Sequence, residues 1–289
     1  MDPNAPHLLH APSLLDLTRE PPADASGSRH WSGRGQNFAV NWNQAGATGS
    51  TAAITSEDEM LLIVLDAPTY IVGNGLHAEA ALAQPRSICI VPPGQWQLAL
   101  QPGATCVALS SLRAGARAGA INEATYAQPD PRIAPVGRAW PRQESVAELR
   151  IFSIDAIAAP ADKPRLKMLQ TATLSINWVE YEGPRDRQAL SPHAHAAFEQ
   201  GSLALAGDFV HHLRVDWGAD ADAWQDDRHT RLGSPSLMVV PVETIHTSEG
   251  VGPGRHLLID VFSPPRADFI AKGWVANAAD YAMPPQDAA

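Results

Sequence analysis

The chain is poor in cysteine, in positive charge and in long apolar runs. Two cysteines in 289 residues, Cys89 and Cys106, cannot build a disulfide framework, and both sit in short apolar runs that predict buried free thiols. The 21 Lys and Arg are outnumbered by 31 Asp and Glu. The basic surface that grips phosphate backbones or anionic membranes is therefore missing, and nucleic acid is not an expected partner. No stretch approaches the roughly 18 consecutive apolar residues that span a bilayer, so no membrane partner is expected either. The first twenty residues have neither a positively charged start nor a continuous apolar core, which predicts no secretory signal and a cytoplasmic location. Charged residues make up only 18% and hydrophobic ones 45%, a globular rather than a disordered balance.

What the chain has in quantity is punctuation, with 25 prolines and 21 glycines, which suits many short elements joined by turns. Runs of strand character fall at 38–42, 60–65, 69–72, 87–91, 95–100 and 105–109. They resume at 171–179, 202–205, 209–215, 237–240 and 256–262. Short strands at this spacing predict an all-β sandwich or barrel. A helical turn is expected around 13–17 and another at 266–272. The expected division is an N-terminal arm (1–30), a first β unit (31–140) and a second (141–289).

An internal repeat supports two units of one kind. SICIVPPGQWQ (87–97) aligns without a gap on SLMVVPVETIH (236–246), and EMLLIVLDA (59–67) on EQGSLALAG (199–207). Further upstream, Ala53 and Thr55 fall opposite His193 and His195.

The second copy carries PHAHAAFEQGSLALAG (192–207) and, after a variable stretch, GSPSLMVVPVETIH (233–246). On a strand, residues two apart face the same side, so His193 and His195 point together. An oxygen donor, Glu199 or Gln200, follows four or five residues later, and His246 ends a distant strand. Three neutral imidazoles and one oxygen suit a single divalent transition metal (Fe, Mn, Ni, Zn or Co) with open positions left for substrate.

These residues resemble the two motifs of the cupin superfamily, in a two-barrel or bicupin arrangement. His193, His195, Gln200 and Gly207 match the first motif, and Pro241 and His246 the second. The chain departs from the pattern at Arg187, Gly233 and Glu243, each near a position where glycine is usual. The resemblance implies two cupin barrels (double-stranded β-helix or jelly roll) in tandem and favours Gln200 over Glu199 as the oxygen ligand. The first barrel has Ala53, Thr55, Met60 and Gln97 in the ligand slots and is expected to hold no metal.

The segment IDVFSPPRADF (259–269) resembles the C-terminal part of single cupins that open the ring of unsaturated uronates. That resemblance implies Asp260 as general acid or base, Phe262 as a wall for the substrate and Arg266 as the clamp on a substrate carboxylate. The function it implies is a metal-dependent isomerase or lyase acting on a small oxygenated acid. A non-haem Fe(II) dioxygenase and a non-catalytic ligand-binding or sensing protein are the alternatives. The expected assembly is a homodimer, because open barrel edges invite pairing.

Overall fold

The computed structural model describes residues 11–18, 24–74, 80–115, 119–146 and 148–283. Its first strands are β1 (Ser13–Asp16), β2 (Arg29–Arg34), β3 (Phe38–Gln44), β4 (Ser50–Ser56), β5 (Met60–Val64) and β6 (Thr69–Asn74). They are followed by β7 (Ala80–Ala83), β8 (Ser87–Val91), β9 (Gly94–Leu100), β10 (Thr105–Ser111) and β11 (Arg150–Ser153). The second half contributes β12 (Lys167–Gln170), β13 (Ser175–Glu182), β14 (Gln200–Ala206) and β15 (Asp208–Arg214). It ends with β16 (Arg228–Leu232), β17 (Ser236–Val240), β18 (Ile245–Val251), β19 (Arg255–Phe262) and the one-turn helix α1 (Ala267–Ala271).

Four antiparallel sheets form two barrels with the same strand plan. The larger sheet of the first barrel runs β11-β8-β5-β10-β3-β2, and that of the second runs β1-β17-β14-β19-β13-β12. A smaller sheet closes each barrel, β4-β9-β6-β7 in the first and β16-β15-β18 in the second. The repeat is thus realised in every strand but one, since β4 has only the His193–His246 bridge as its counterpart.

The two large sheets pack on each other through a shared core that includes Trp42, Leu61, Ile63 and Leu109 from one and Trp178, Leu203, Ile259 and Val261 from the other. This explains the unbroken apolar run of β5. Leu61 and Ile63 face the partner sheet, while Met60, Leu62 and Val64 fill the first barrel's own interior. A strand buried on both faces carries no polar alternation. Gly201 lies where the sheets approach, and a Cβ there would meet the Phe38 ring at 2.8 Å. Cys89 and Cys106 are buried free thiols, and burial pushes the Cys89 thiol up to about 12.

Two local expectations are corrected. The predicted helical turn at 13–17 is strand β1, which pairs with the edge of β17 and buries Leu17 in the shared core. Four residues of LLDL pattern suit either structure, and the open ladder of β17 decides for the strand. The stretch 190–196 is not a strand; only His193 bridges, to His246, since Pro192 has no N–H for a ladder. Trp217 and Trp224 lie in the loop between β15 and β16. They stack on each other at 4.5 Å and are 70% and 45% exposed. Residues 1–10 and 19–23 of the arm lie outside the described residues. No helix among the described residues is long and apolar enough to cross a membrane.

Candidate metal centre

Inside the second barrel His193, His195 and His246 converge, with one ring nitrogen of each lying within 4.8 Å of the others. The backbones of His193 and His246 exchange both hydrogen bonds, at 3.1 and 2.8 Å, which fixes their spacing. Each also has its Nδ1 2.9 Å from a carbonyl two residues earlier, Ser191 for His193 and Thr244 for His246. An N–H donated there sets the tautomer and leaves the Nε2 lone pair free to face the centre. His246 Nε2 is buried without a partner. Burial holds His195 down to about 3 and His246 to about 4, so both are neutral at physiological pH.

Gln200, at the start of β14, is the nearest oxygen donor, with Oε1 2.9 Å from His195 Nε2. Two donors each about 2.1 Å from one ion and at right angles to it lie about 3 Å apart. The three imidazoles, the buried orphan nitrogen and the amide oxygen therefore fit a divalent ion. Among the described residues no second group of three such side chains comes together.

Glu199 faces the other way. Its carboxylate accepts from the backbone N–H of Gln36 at 2.6 Å and from the Tyr126 hydroxyl at 3.1 Å, both beyond the second barrel. Glu59, its counterpart in the repeat, does the same in reverse. It accepts from the backbone N–H of Ala172, from the Tyr281 hydroxyl and from Arg150 at 2.9, 2.7 and 2.6 Å. The two glutamates are a symmetric pair of anchors between the barrels.

The centre opens on a cavity of about 290 Å³ whose wall includes His193, His246, Gln200, Asp260 and Asn177. Asp260 on β19 is fixed by neighbours that donate to it: Gln200 at 3.0 Å, Asn177 at 3.3 Å and Ser202 at 3.5 Å. Enclosure outweighs these donors and raises its carboxyl to about 7.

Phe262 and Arg266 do not join Asp260 on this wall, which corrects the expected substrate triad. Phe262 is 3% exposed and packs edge-on against His195, Phe198 and Phe269. The Arg266 guanidinium is bound by both oxygens of Asp268 at 2.7 Å and lies 3.8 Å from the Phe269 ring centre. A carboxylate two residues along the chain has taken the fork expected for substrate.

The cations that do line the cavity are Lys163, Arg165 and Arg185. None of the three makes an ion pair among the described residues, and burial together with the charge of Arg165 lowers Arg185. Sequence reasoning missed them because Lys163 and Arg165 belong to the connector (ADKPR, 161–165), which reads as a linker. His211 is buried, 2.8 Å from Ser248, and His212 bonds His229 and Glu249, so neither joins the centre.

No protein-family model matches the chain, and no curated protein matches it. Solved structures do. An oxalate decarboxylase–formate complex from Lactobacillus farciminis is similar at a TM-score of 0.57 and 11% identity, over 88% of this chain and 86% of that one. AerE from Microcystis aeruginosa is similar at 0.55 and 7%, over 88% and 98%. An oxalate decarboxylase from Bacillus subtilis, described with Mn(II) centres, is similar at 0.56 and 11%, over 87% and 77%. The chain has the bicupin fold. At these identities the likeness speaks for the fold alone. Within this fold, the second barrel carries the candidate centre.

Proposed function

We propose that the second barrel is the active site of a metal-dependent enzyme acting on a small oxygenated acid, with His193, His195, Gln200 and His246 holding one divalent ion. The convergence of three imidazoles, one buried and unpartnered, beside an amide oxygen carries this reading. The ion would supply a Lewis acid for a carbonyl or hydroxyl oxygen of the substrate.

The chain's own residues supply the rest. Asp260 lies one hydrogen bond from Gln200 on the cavity wall, where it can give or take a proton beside the bound oxygen. Asn177 and Ser202 fix its carboxyl for that exchange. Phe198 and Phe262 pack against His195 and hold its ring in place, with Arg266 over both phenylalanines, and the pocket cations attract the acid. A single acid–base group beside a polarised oxygen suits isomerase, lyase or decarboxylase chemistry. The names of the neighbours, oxalate decarboxylases, agree with a small carboxylate substrate. In this reading the first barrel, whose large sheet takes in β11 from beyond residue 140, is metal-free, and the second, whose large sheet takes in β1 from the arm, bears the metal.

The test is a screen of uronates, keto acids and diacids on the metal-loaded protein, followed by NMR. The expected result is a product that a chelator abolishes. Tight binding without product would favour a sensing protein, and oxygen consumption with Fe(II) a dioxygenase.

A further inference from the structure

The pocket has two chemically different ends joined by an apolar floor. On β13 the residues Asn177, Val179 and Tyr181 share one face, because side chains repeat every two residues along a strand. All three line the cavity. Asn177 pairs in register with Asp260, next to the histidine cluster, and Val179 pairs with Leu258. Tyr181 lies four residues from Asn177, about 13 Å along the strand at about 3.3 Å per residue.

At that far end two arginines sit against the Tyr181 ring, Arg165 at 5.9 Å and Arg185 at 5.8 Å from its centre. They come from unrelated places, Arg165 from the connector and Arg185 from the turn after β13. Neither is held in a close ion pair among the described residues, whereas Arg86, Arg113, Arg132, Arg150 and Arg214 each hold a carboxylate; Asp186 acts on Arg185 only through its charge, and Asp162 is the one acid on the cavity wall besides Asp260. Two like charges brought together at a cavity mouth and left unpaired form a receptor for an anion.

Resting on the metal-centre reading above, we propose that the substrate is an elongated acid rather than a two-carbon one. Its oxygen-bearing end meets the histidine cluster, its apolar body lies over Val179 and Leu258, and a terminal carboxylate is held between Arg165 and Arg185. The two carboxylates of oxalate share one bond and cannot engage both ends. Leu166, beside Arg165 on the wall, adds to the apolar surface that such a body covers.

The experiment measures binding of oxalate, succinate, adipate and suberate to the full chain by calorimetry, with metal content determined on the same samples. Affinity is expected to rise with length. Arg165→Ala and Arg185→Ala should each weaken adipate and suberate by about ten- to hundredfold, the loss of charge-assisted hydrogen bonds. They should leave oxalate within about threefold, and Arg185→Lys, which keeps charge but not the fork, should fall between. A wild-type chain that holds one metal and shows no preference for length overturns the proposal and leaves the metal centre standing. Equal losses for oxalate and suberate in the variants also overturn it. A chain that takes up no metal yet loses suberate on Arg165→Ala supports the cationic end and overturns the metal reading instead.

Discussion

The two barrels share a strand order and a cavity size and differ in what lines the cavity. Each encloses a cavity of about 290 Å³. His193 bridges His246 in the second barrel, and Ala53 pairs with Gln97 at the same point of the first. Ser202 pairs with Asp260, and Leu62 with Ala108. Asp260 in turn faces Asn177, and Ala108 faces Asn41. Six changes of side chain, at His193, His195, Gln200, Ser202, His246 and Asp260, set the candidate centre apart from the matching positions of the first barrel on one backbone plan. The asparagine is the same in both. The fold supplies a position for chemistry and the side chains decide whether any is there.

The largest expected effect breaks the comparison at Asp260. Asp260→Asn gives the second barrel a neutral side chain where the first has Ala108. Turnover should fall by about 10²–10⁴-fold with metal content and thermal midpoint kept, as measured by steady-state kinetics beside elemental analysis. Unchanged turnover would return Asp260 to the role of a wall residue.

The anchoring glutamates sharpen the comparison through stability. Glu59→Gln leaves Arg150, whose side chain is 7% exposed, without its buried partner and should cost about 3 kcal/mol in urea unfolding. Glu199→Gln should cost about 1 kcal/mol, because an amide oxygen still accepts from Gln36 and Tyr126. Arg34, whose charge reaches Glu199, is itself bonded to Glu123. Glu199→Gln should also keep its metal, whereas Gln200→Ala should loosen it. The reverse result would move the oxygen ligand to Glu199.

A smaller, pH-dependent effect is expected where the barrels are clamped at the surface. Burial alone would raise Glu180, but bonds from Arg86, Trp178 and Arg255 hold it down at about 2. Its folded value lies below the unfolded one, so its contribution is complete above about pH 4.5 and is lost as pH falls toward 2. Arg86→Ala should therefore lower the urea midpoint at pH 7 by more than it does at pH 3. An equal loss at both would show that Arg86 acts through packing on Trp178.

Much of this was legible in the sequence. The strands buried on both faces, such as SICIV and SLMVV, stand out as apolar runs, and the repeat placed both barrels. The histidine spacing pointed to the three side chains that converge as a candidate centre, even though the segment of His193 and His195 is a single bridge rather than a strand. The half-exposed strands did not show. β16 reads RHTRL and β18 IHTSEGV, polar sequences held by pairing with β15 rather than by their own pattern. The partner of Arg266 was hidden because a helical turn brings Asp268 back onto it. Arg165 was hidden because only the packing of the connector carries it to the pocket. At Glu243 the second motif lacks its glycine, and the backbone still takes the left-handed turn at φ 63°, with Arg132 on the Glu243 carboxylate.

The central claim is that one barrel of the two holds the metal. Elemental analysis of protein purified without added metal tests it most directly. The account predicts about one divalent ion per chain in the wild type and almost none in the His193→Ala, His246→Ala double variant. A ratio near two, or a ratio unchanged in the double variant, would contradict it.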